Sequence, residues 1–136
     1  MKTVNAKLME MFMIRRIYVA GSITPYPSEH PVFGFLSNIA RGIRASLDLL
    51  LKGYSPFCPF LDFQYWFFLR NDETITEKMI KELSMTWLEV CDAVLVLSKY
   101  RKSQGTLAEI AKARELKIPV FYSLDDLIDA SEKGEG

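Results

Sequence analysis

Histidine and cysteine are scarce in this 136-residue chain: His30 is the single histidine, and Cys58 and Cys91 are the only cysteines. Neither cysteine lies in a CxxC spacing and His30 has no Cys or His neighbour, which argues against a structural metal site. Each cysteine sits in an apolar run and reads as a small buried hydrophobe. No apolar run approaches the ~20 residues of a membrane span, and no segment shaped like a signal peptide is evident. A cytoplasmic location is therefore expected, with no membrane partner. Blocks of like charge are missing as well. The 17 basic and 17 acidic residues cancel, so no nucleic-acid polymer is expected as a partner. GxGxxG, the P-loop, GxSxG and HExxH are all absent, which removes several nucleotide-binding and hydrolytic classes. No cofactor and no metal are expected.

What is present suits one globular domain. Hydrophobic residues make up 49% of the chain and charged residues 25%, an ordinary globular balance. Residues 1–12 read as a flexible N-terminal extension, 13–130 as the domain and 131–136 as a flexible tail. Ile17 to Ala20 form a short β-rich run that stops at Gly21-Ser22, and Pro25, Pro27 and Pro31 punctuate the loop after it. Leu36, Ile39, Ala40, Ile43, Leu47, Leu50 and Leu51 recur at helical spacing, and Gly53 suits a left-handed helix end. Tyr54 to Phe60 read as a second strand, followed by an aromatic stretch, Phe63 to Phe68. Met79, Ile80, Leu83, Trp87 and Leu88 mark another amphipathic helix. Ala93 to Leu97 form a continuous apolar run, as in a strand buried on both faces. A helix ending near Lys117, a strand from Ile118 to Tyr122 and a closing helix from Leu124 to Ala130 complete the pattern. Strand and helix alternate throughout, which predicts an α/β sandwich of the flavodoxin- or Rossmann-like kind. Its parallel sheet has four or five strands flanked by helices. Ligands of such folds bind beyond the carboxyl ends of the strands, where the loops after Ala20, Cys58 and Leu97 should meet.

The strongest local feature is the run from Ser103 to Glu109, which follows the buried strand and opens a helix. Ser103 is a good N-cap, and a helix start containing Gly105 is a natural anion site. Leu107, Ile110 and Ala111 mark the expected core face, with Glu109 pointing away from it. Gly21-Ser22 is a second phosphate-friendly turn.

Taken in order, these segments resemble the nucleoside 2-deoxyribosyltransferase-like superfamily over roughly residues 14–128. The carriers are Ile17-Tyr18-Val19-Ala20-Gly21-Ser22-Ile23, Gly53-Tyr54 with Pro56 to Leu61, Trp87-Leu88 with Cys91-Asp92-Ala93, and Ser103-x-Gly105-Thr106-x-x-Glu109 with Ile118 to Phe121. The resemblance implies a glutamate, here Glu109, that attacks C1′ of a (deoxy)ribosyl group while the base leaves, a chemistry akin to that of retaining glycosidases. It implies that Tyr18 orients this glutamate. It also implies substrate contacts at Gly21, Ser22, Ile23, Ser103, Gly105 and Thr106, and a homodimer or homotetramer with shared active sites. In such a family the aromatic stretch reads as subunit interface ahead of base stacking.

Within the superfamily, transferases acting on nucleosides carry an aspartate at the position of Ser103, whereas nucleoside 5′-monophosphate N-hydrolases carry a serine. A hydroxyl can donate to a phosphate dianion that a carboxylate would repel. The hydrolase branch is therefore the closer match, with Ser22 as a second phosphate contact. One departure concerns the leaving base: relatives place an aspartate in the third helix where this chain has Ser84, a poor general acid. Asp62, after the second strand, is the candidate replacement, while Asp92 at a strand start reads as structural. The alternatives are a nucleotide-binding sensor that has lost turnover, a deoxyribosyltransferase on unphosphorylated nucleosides, and a phosphoribohydrolase or NAD-cleaving enzyme. The PGGxGT motif of cytokinin-activating phosphoribohydrolases is absent.

Overall fold

The computed structural model of the chain describes residues 13–98 and 100–135; the expected N-terminal extension, residues 1–12, lies outside them. Strands β1 (Arg16–Ala20), β2 (Ser55–Phe57), β3 (Ala93–Val96) and β4 (Val120–Phe121) form one sheet in the order β2-β1-β3-β4. Every pairing is parallel, with Tyr18 opposite Phe57 on one side and Val94 on the other. Helices α1 (Pro31–Leu51), α2 (Glu77–Leu88), α3 (Gln104–Glu115) and α4 (Leu124–Glu135) alternate with the strands, and a 3₁₀ segment (Pro59–Phe68) follows β2. The fold is the expected α/β Rossmann-like sandwich. No described helix is long and apolar enough to cross a membrane.

Because side chains alternate along a strand, β1 divides its residues between two cores. Tyr18 and Ala20 join Leu88, Val94, Val96, Ile110 and Ala113 beneath α2 and α3. Ile17 and Val19 join Leu49, Phe60, Ala93, Leu95 and Leu127 beneath α1, α4 and the 3₁₀ segment. At the amino end of the sheet, Asp92 Oδ2 accepts the Arg15 and Arg16 backbone N–H groups at 3.0 and 2.8 Å. That bond gives Asp92 a structural place and ties the start of β1 to the start of β3.

Several boundaries differ from expectation. Helix α1 begins at Pro31, a residue favoured in the first helical turn because it has no N–H to satisfy; His30 Nδ1 caps it, accepting from Val32 and Phe33 N–H. Strand β2 stops at Phe57, since Pro59 cannot donate to a ladder and starts the 3₁₀ segment instead. The closing helix extends past Ala130 to Glu135. At Gly53 the φ of +95° is the left-handed helix end predicted for it, and Lys117 adopts the same kind of turn after α3 with φ 60°.

The largest surprise is the orientation of α1. Its buried residues are Gly34, Asn38, Ile39, Gly42, Ser46 and Leu49, mostly small or polar, while Leu36, Ile43, Leu47, Leu50 and Leu51 are exposed. Neighbouring bulk explains the inversion. A Cβ on Gly42 would stand 2.2 Å from the Phe60 ring, and one on Gly34 would stand 2.5 Å from Pro25 Cβ. Asn38 closes this face by donating to the Ile23 carbonyl at 3.0 Å and accepting from Arg41.

Gly42→Ala should cost about 3 kcal/mol or more, because it overpacks a site in which the Phe60 ring cannot retreat. Gly53→Ala, with nothing within 4 Å of its would-be Cβ, should cost only about 1 kcal/mol through its backbone angle. Urea denaturation of both variants checks the contrast.

Candidate active site

The order β2-β1-β3 brings the carboxyl ends of these three strands side by side. Tyr18, fully buried in the middle strand, is the floor of the site. Its ring stacks on Phe57 at a centroid distance of 5.6 Å, and Phe57 stacks on Trp87 at 5.3 Å. The stack braces the phenol from the β2 side. Phe57 and Trp87 stand in segments that carry the resemblance but had no site role in the sequence, because it takes the register of β1 with β2 and the packing of α2 to stack them on Tyr18.

Three side chains from three other elements converge on the Tyr18 hydroxyl. Glu109 approaches from α3, Ser84 from α2, and the charge of Asp62 reaches it from the 3₁₀ segment. Tyr18, Glu109, Ser84 and Asp62 were all expected at a site, and the fold gathers all four. The contacts are loose, however. Tyr18 Oη, Glu109 Oε2 and Asp62 Oδ2 are each buried without a well-formed hydrogen bond. Burial of unpaired polar atoms costs free energy, so three of them in one cluster set this place apart from the rest of the core.

Helix α3 faces differently from the expected wheel. Its buried residues are Thr106, Ile110 and Ala113, whereas Leu107 is exposed and so is Ala111. The stripe thus rotates toward Glu109, which lies on the inner flank rather than pointing away. The cause is helical geometry: 106, 110 and 113 follow the i, i+4, i+7 row, and polar Thr106 takes its first position because its hydroxyl finds a partner. Ser103 Oγ accepts from Thr106 N–H at 3.2 Å and lies 2.8 Å from Thr106 Oγ1.

That bonding gives Ser103 and Thr106 a capping role at the mouth of α3. Gly105 beside them faces open space, with nothing within 4 Å of a would-be Cβ. On the first loop, Ser22 Oγ donates to the Thr24 carbonyl at 2.9 Å, and the Ile23 carbonyl is held by Asn38. Gly21 packs against Phe60 and Leu97, where a Cβ would stand 3.0 to 3.1 Å from their side chains. The first loop and the loop before α3 also meet through Lys102, whose Nζ sits 5.3 Å from the centre of the Tyr26 ring. Two surface clefts lie apart from Glu109. One, about 360 Å³, is formed by Arg114 and Lys117 to Val120; the other, about 200 Å³, lies between Leu95 to Ser98 and Tyr122 to Leu124. Neither contains any of the four converging side chains, so the chemistry of the buried polar cluster outweighs the size of the clefts.

Electrostatics set the cluster apart from ordinary surface acids. Burial pushes the Glu109 carboxyl up to about 7, and its interaction with Tyr18 partly opposes that rise. Burial also raises Asp62. The Tyr18 phenol is held far above its usual range, first by burial and then by the adjacent Glu109 charge, so it stays a proton donor at any working pH. Burial likewise pushes the Cys91 thiol up to about 11, as befits a core residue.

These shifts make folding pH-dependent. Glu109 ionises at its ordinary 4.5 in the unfolded chain and at about 7 in the fold, so the folded state holds the extra proton between those values. Stability should be full below pH 4.5 and fall by about 3 kcal/mol as pH rises through 7. Denaturation midpoints from pH 4.5 to 8 should show this decline for the native chain and a shallower one for Glu109→Gln. Tyr18→Phe should shift the titration of Glu109 upward, readable from its carboxyl carbon by NMR.

Among curated proteins, none matches the chain. One family model spans residues 24–123 and so includes Asp62, Ser84 and Glu109; the chain belongs to the family described as Domain of unknown function (DUF7768).

Proposed function

We propose that this chain is a cytoplasmic N-glycosidase of the nucleoside 2-deoxyribosyltransferase-like kind, acting on a (deoxy)nucleoside 5′-monophosphate. The observation that carries the proposal is the meeting of Glu109 and Tyr18 in a buried cluster of unpartnered polar atoms. A carboxylate held near 7 by burial can be ionised at neutral pH and remains poorly solvated, which suits a nucleophile facing developing positive charge.

In the proposed reaction a Glu109 carboxylate oxygen bonds to C1′ as the N-glycosidic bond breaks and the base departs with the bond's electron pair. Asp62, with its raised pKa, supplies a proton to the departing base in place of Ser84. Water then attacks C1′ and releases Glu109; one water proton restores Asp62. The balance is nucleotide plus water to free base plus 5-phosphosugar. A second base in place of water would give transfer. Tyr18 keeps its proton throughout and donates toward the glutamate, holding it on the sugar side. The phosphate is assigned to the open N-terminus of α3 at Gly105, where free N–H groups and the helix dipole favour an anion.

A nucleotide-binding sensor of the same fold is the second reading. It is favoured by Ser84 on α2, which puts an un-ionisable hydroxyl beside Tyr18 where relatives of the resembled superfamily carry an aspartate.

Chromatography of reactions with a panel of nucleosides and 5′-monophosphates should show free base released from a monophosphate. Glu109→Gln should lower that release at least 10³-fold without unfolding the protein, and Asp62→Asn should lower it by about 10²-fold. Ser103→Asp should weaken nucleotide binding more than nucleoside binding. Base exchange on unphosphorylated nucleosides would instead indicate a transferase. Binding by thermal shift with no turnover anywhere would favour the sensor.

A further inference from the structure

The Tyr18 hydroxyl is fully buried and shut off from solvent, with no well-formed hydrogen bond. A phenol donates one proton and accepts at its oxygen. Three groups face it: Glu109 from α3, Asp62 from the 3₁₀ segment and Ser84 from α2. Two of them are acids, which as carboxylates can only accept. A serine hydroxyl keeps its proton at every working pH and can turn it toward a chosen partner. Ser84 is therefore the one neighbour able to donate to the phenol oxygen when both acids are charged.

The fold holds Ser84 at this place for reasons unrelated to charge. Ile80, Ser84 and Leu88 are four residues apart along α2, so they share one stripe of the helix. Leu88 is fully buried and belongs to the same core cluster as Tyr18. Ile80 and Ser84 continue that stripe half-buried. A hydroxyl inside a helix commonly donates to the carbonyl one turn back. Ser46 and Thr86 do so here, at 2.8 and 2.7 Å. Ser84 makes no such bond to a described residue, which leaves its proton for Tyr18.

We propose that Ser84 is a positioning residue: its hydroxyl donates to Tyr18 Oη and thereby commits the phenolic proton to Glu109. Each group in the row Ser84, Tyr18, Glu109 donates to the next. Bonds in such a row strengthen one another, and catalytic bonds that are loose in the free protein tighten when substrate closes the site. An aspartate in place of Ser84, as relatives of the resembled superfamily carry, would be a third acid facing the phenol and would compete with Glu109 for its proton. With Asp62 assigned to the departing base, a hydroxyl is the group that the cluster needs at this position. The inference rests on the proposed function only in taking Glu109 as the nucleophile; the order of the hydrogen bonds does not depend on turnover.

The experiment follows the Glu109 titration through its carboxyl carbon by NMR, in the native chain and in variants. Ser84→Ala should raise the midpoint, near 7 in the native chain, because a weaker bond from Tyr18 disfavours the carboxylate. The rise should be about half a pH unit, the equivalent of a modest hydrogen bond. Ser84→Thr, which keeps the hydroxyl, should restore the native midpoint. In a Tyr18→Phe background, Ser84→Ala should move nothing further, since the connecting phenol is gone. None of these changes should unfold the chain: alanine favours a helix and phenylalanine keeps the buried ring. An unmoved midpoint in Ser84→Ala, or an equal shift with and without the phenol, would overturn the inference. A second measurement is kinetic. Ser84→Ala should lower kcat about tenfold with KM little changed, and Ser84→Asp should lower it as well. Turnover gained by Ser84→Asp, or a change in KM alone, would overturn the inference and return position 84 to direct service of the base. No turnover in any protein would remove the glycosidase reading and leave the titrations to decide the role of Ser84.

Discussion

The seating of the Phe60 ring on Gly42 and Gly21 organises much of this structure. The ring is 1% exposed, leaves no room for a Cβ at Gly42 and would crowd one at Gly21. It fixes how closely α1 lies to the sheet and anchors the 3₁₀ segment to the exit of β1. Asp62 stands two residues further along that segment, and its reach toward Tyr18 depends on where Phe60 is held. The same contact demands a small-residue face on α1. One packing decision therefore positions a candidate catalytic acid on one side and leaves Leu36, Ile43, Leu47 and Leu50 of α1 exposed on the other.

The cluster around Tyr18 shows the converse of good packing. Elsewhere the polar groups of the fold are tied in: Asp92 holds two backbone N–H groups, Asn38 holds a carbonyl, and Ser103 caps a helix. At the carboxyl ends of β1 and β2, by contrast, a phenol and two carboxyls are taken out of water without such bonds. Desolvation raises the free energy of the charged carboxylates, which is why Glu109 and Asp62 are both shifted upward. Among the described residues this is the one cluster of buried side-chain polar atoms without a hydrogen bond, a local departure from rules that the rest of the fold keeps. The Tyr18, Phe57 and Trp87 stack braces the phenol from the β2 side.

By itself the sequence determined the alternation of strands and helices, the parallel sheet, the left-handed turn at Gly53 and the helix that opens at Ser103. These follow from local rules: apolar runs buried on both faces, helical spacing, capping hydroxyls and the conformational freedom of glycine. The resemblance also selected Tyr18 and Glu109 from short motifs and Ser84 as the place where relatives carry an aspartate, while Asp62 was picked out by its position after the second strand. What only the tertiary structure decided was direction. The period of α1 and α3 was legible, but a period does not say which of two faces the rest of the chain will cover. For α1 the choice was made by the bulk of Phe60 and Pro25, which accept only glycine and small polar side chains. For α3 it was made by Thr106, whose hydroxyl is satisfied by Ser103 and so can be buried, carrying Glu109 inward. Both causes lie in contacts between residues far apart in the chain or in bonds that a hydropathy pattern does not register.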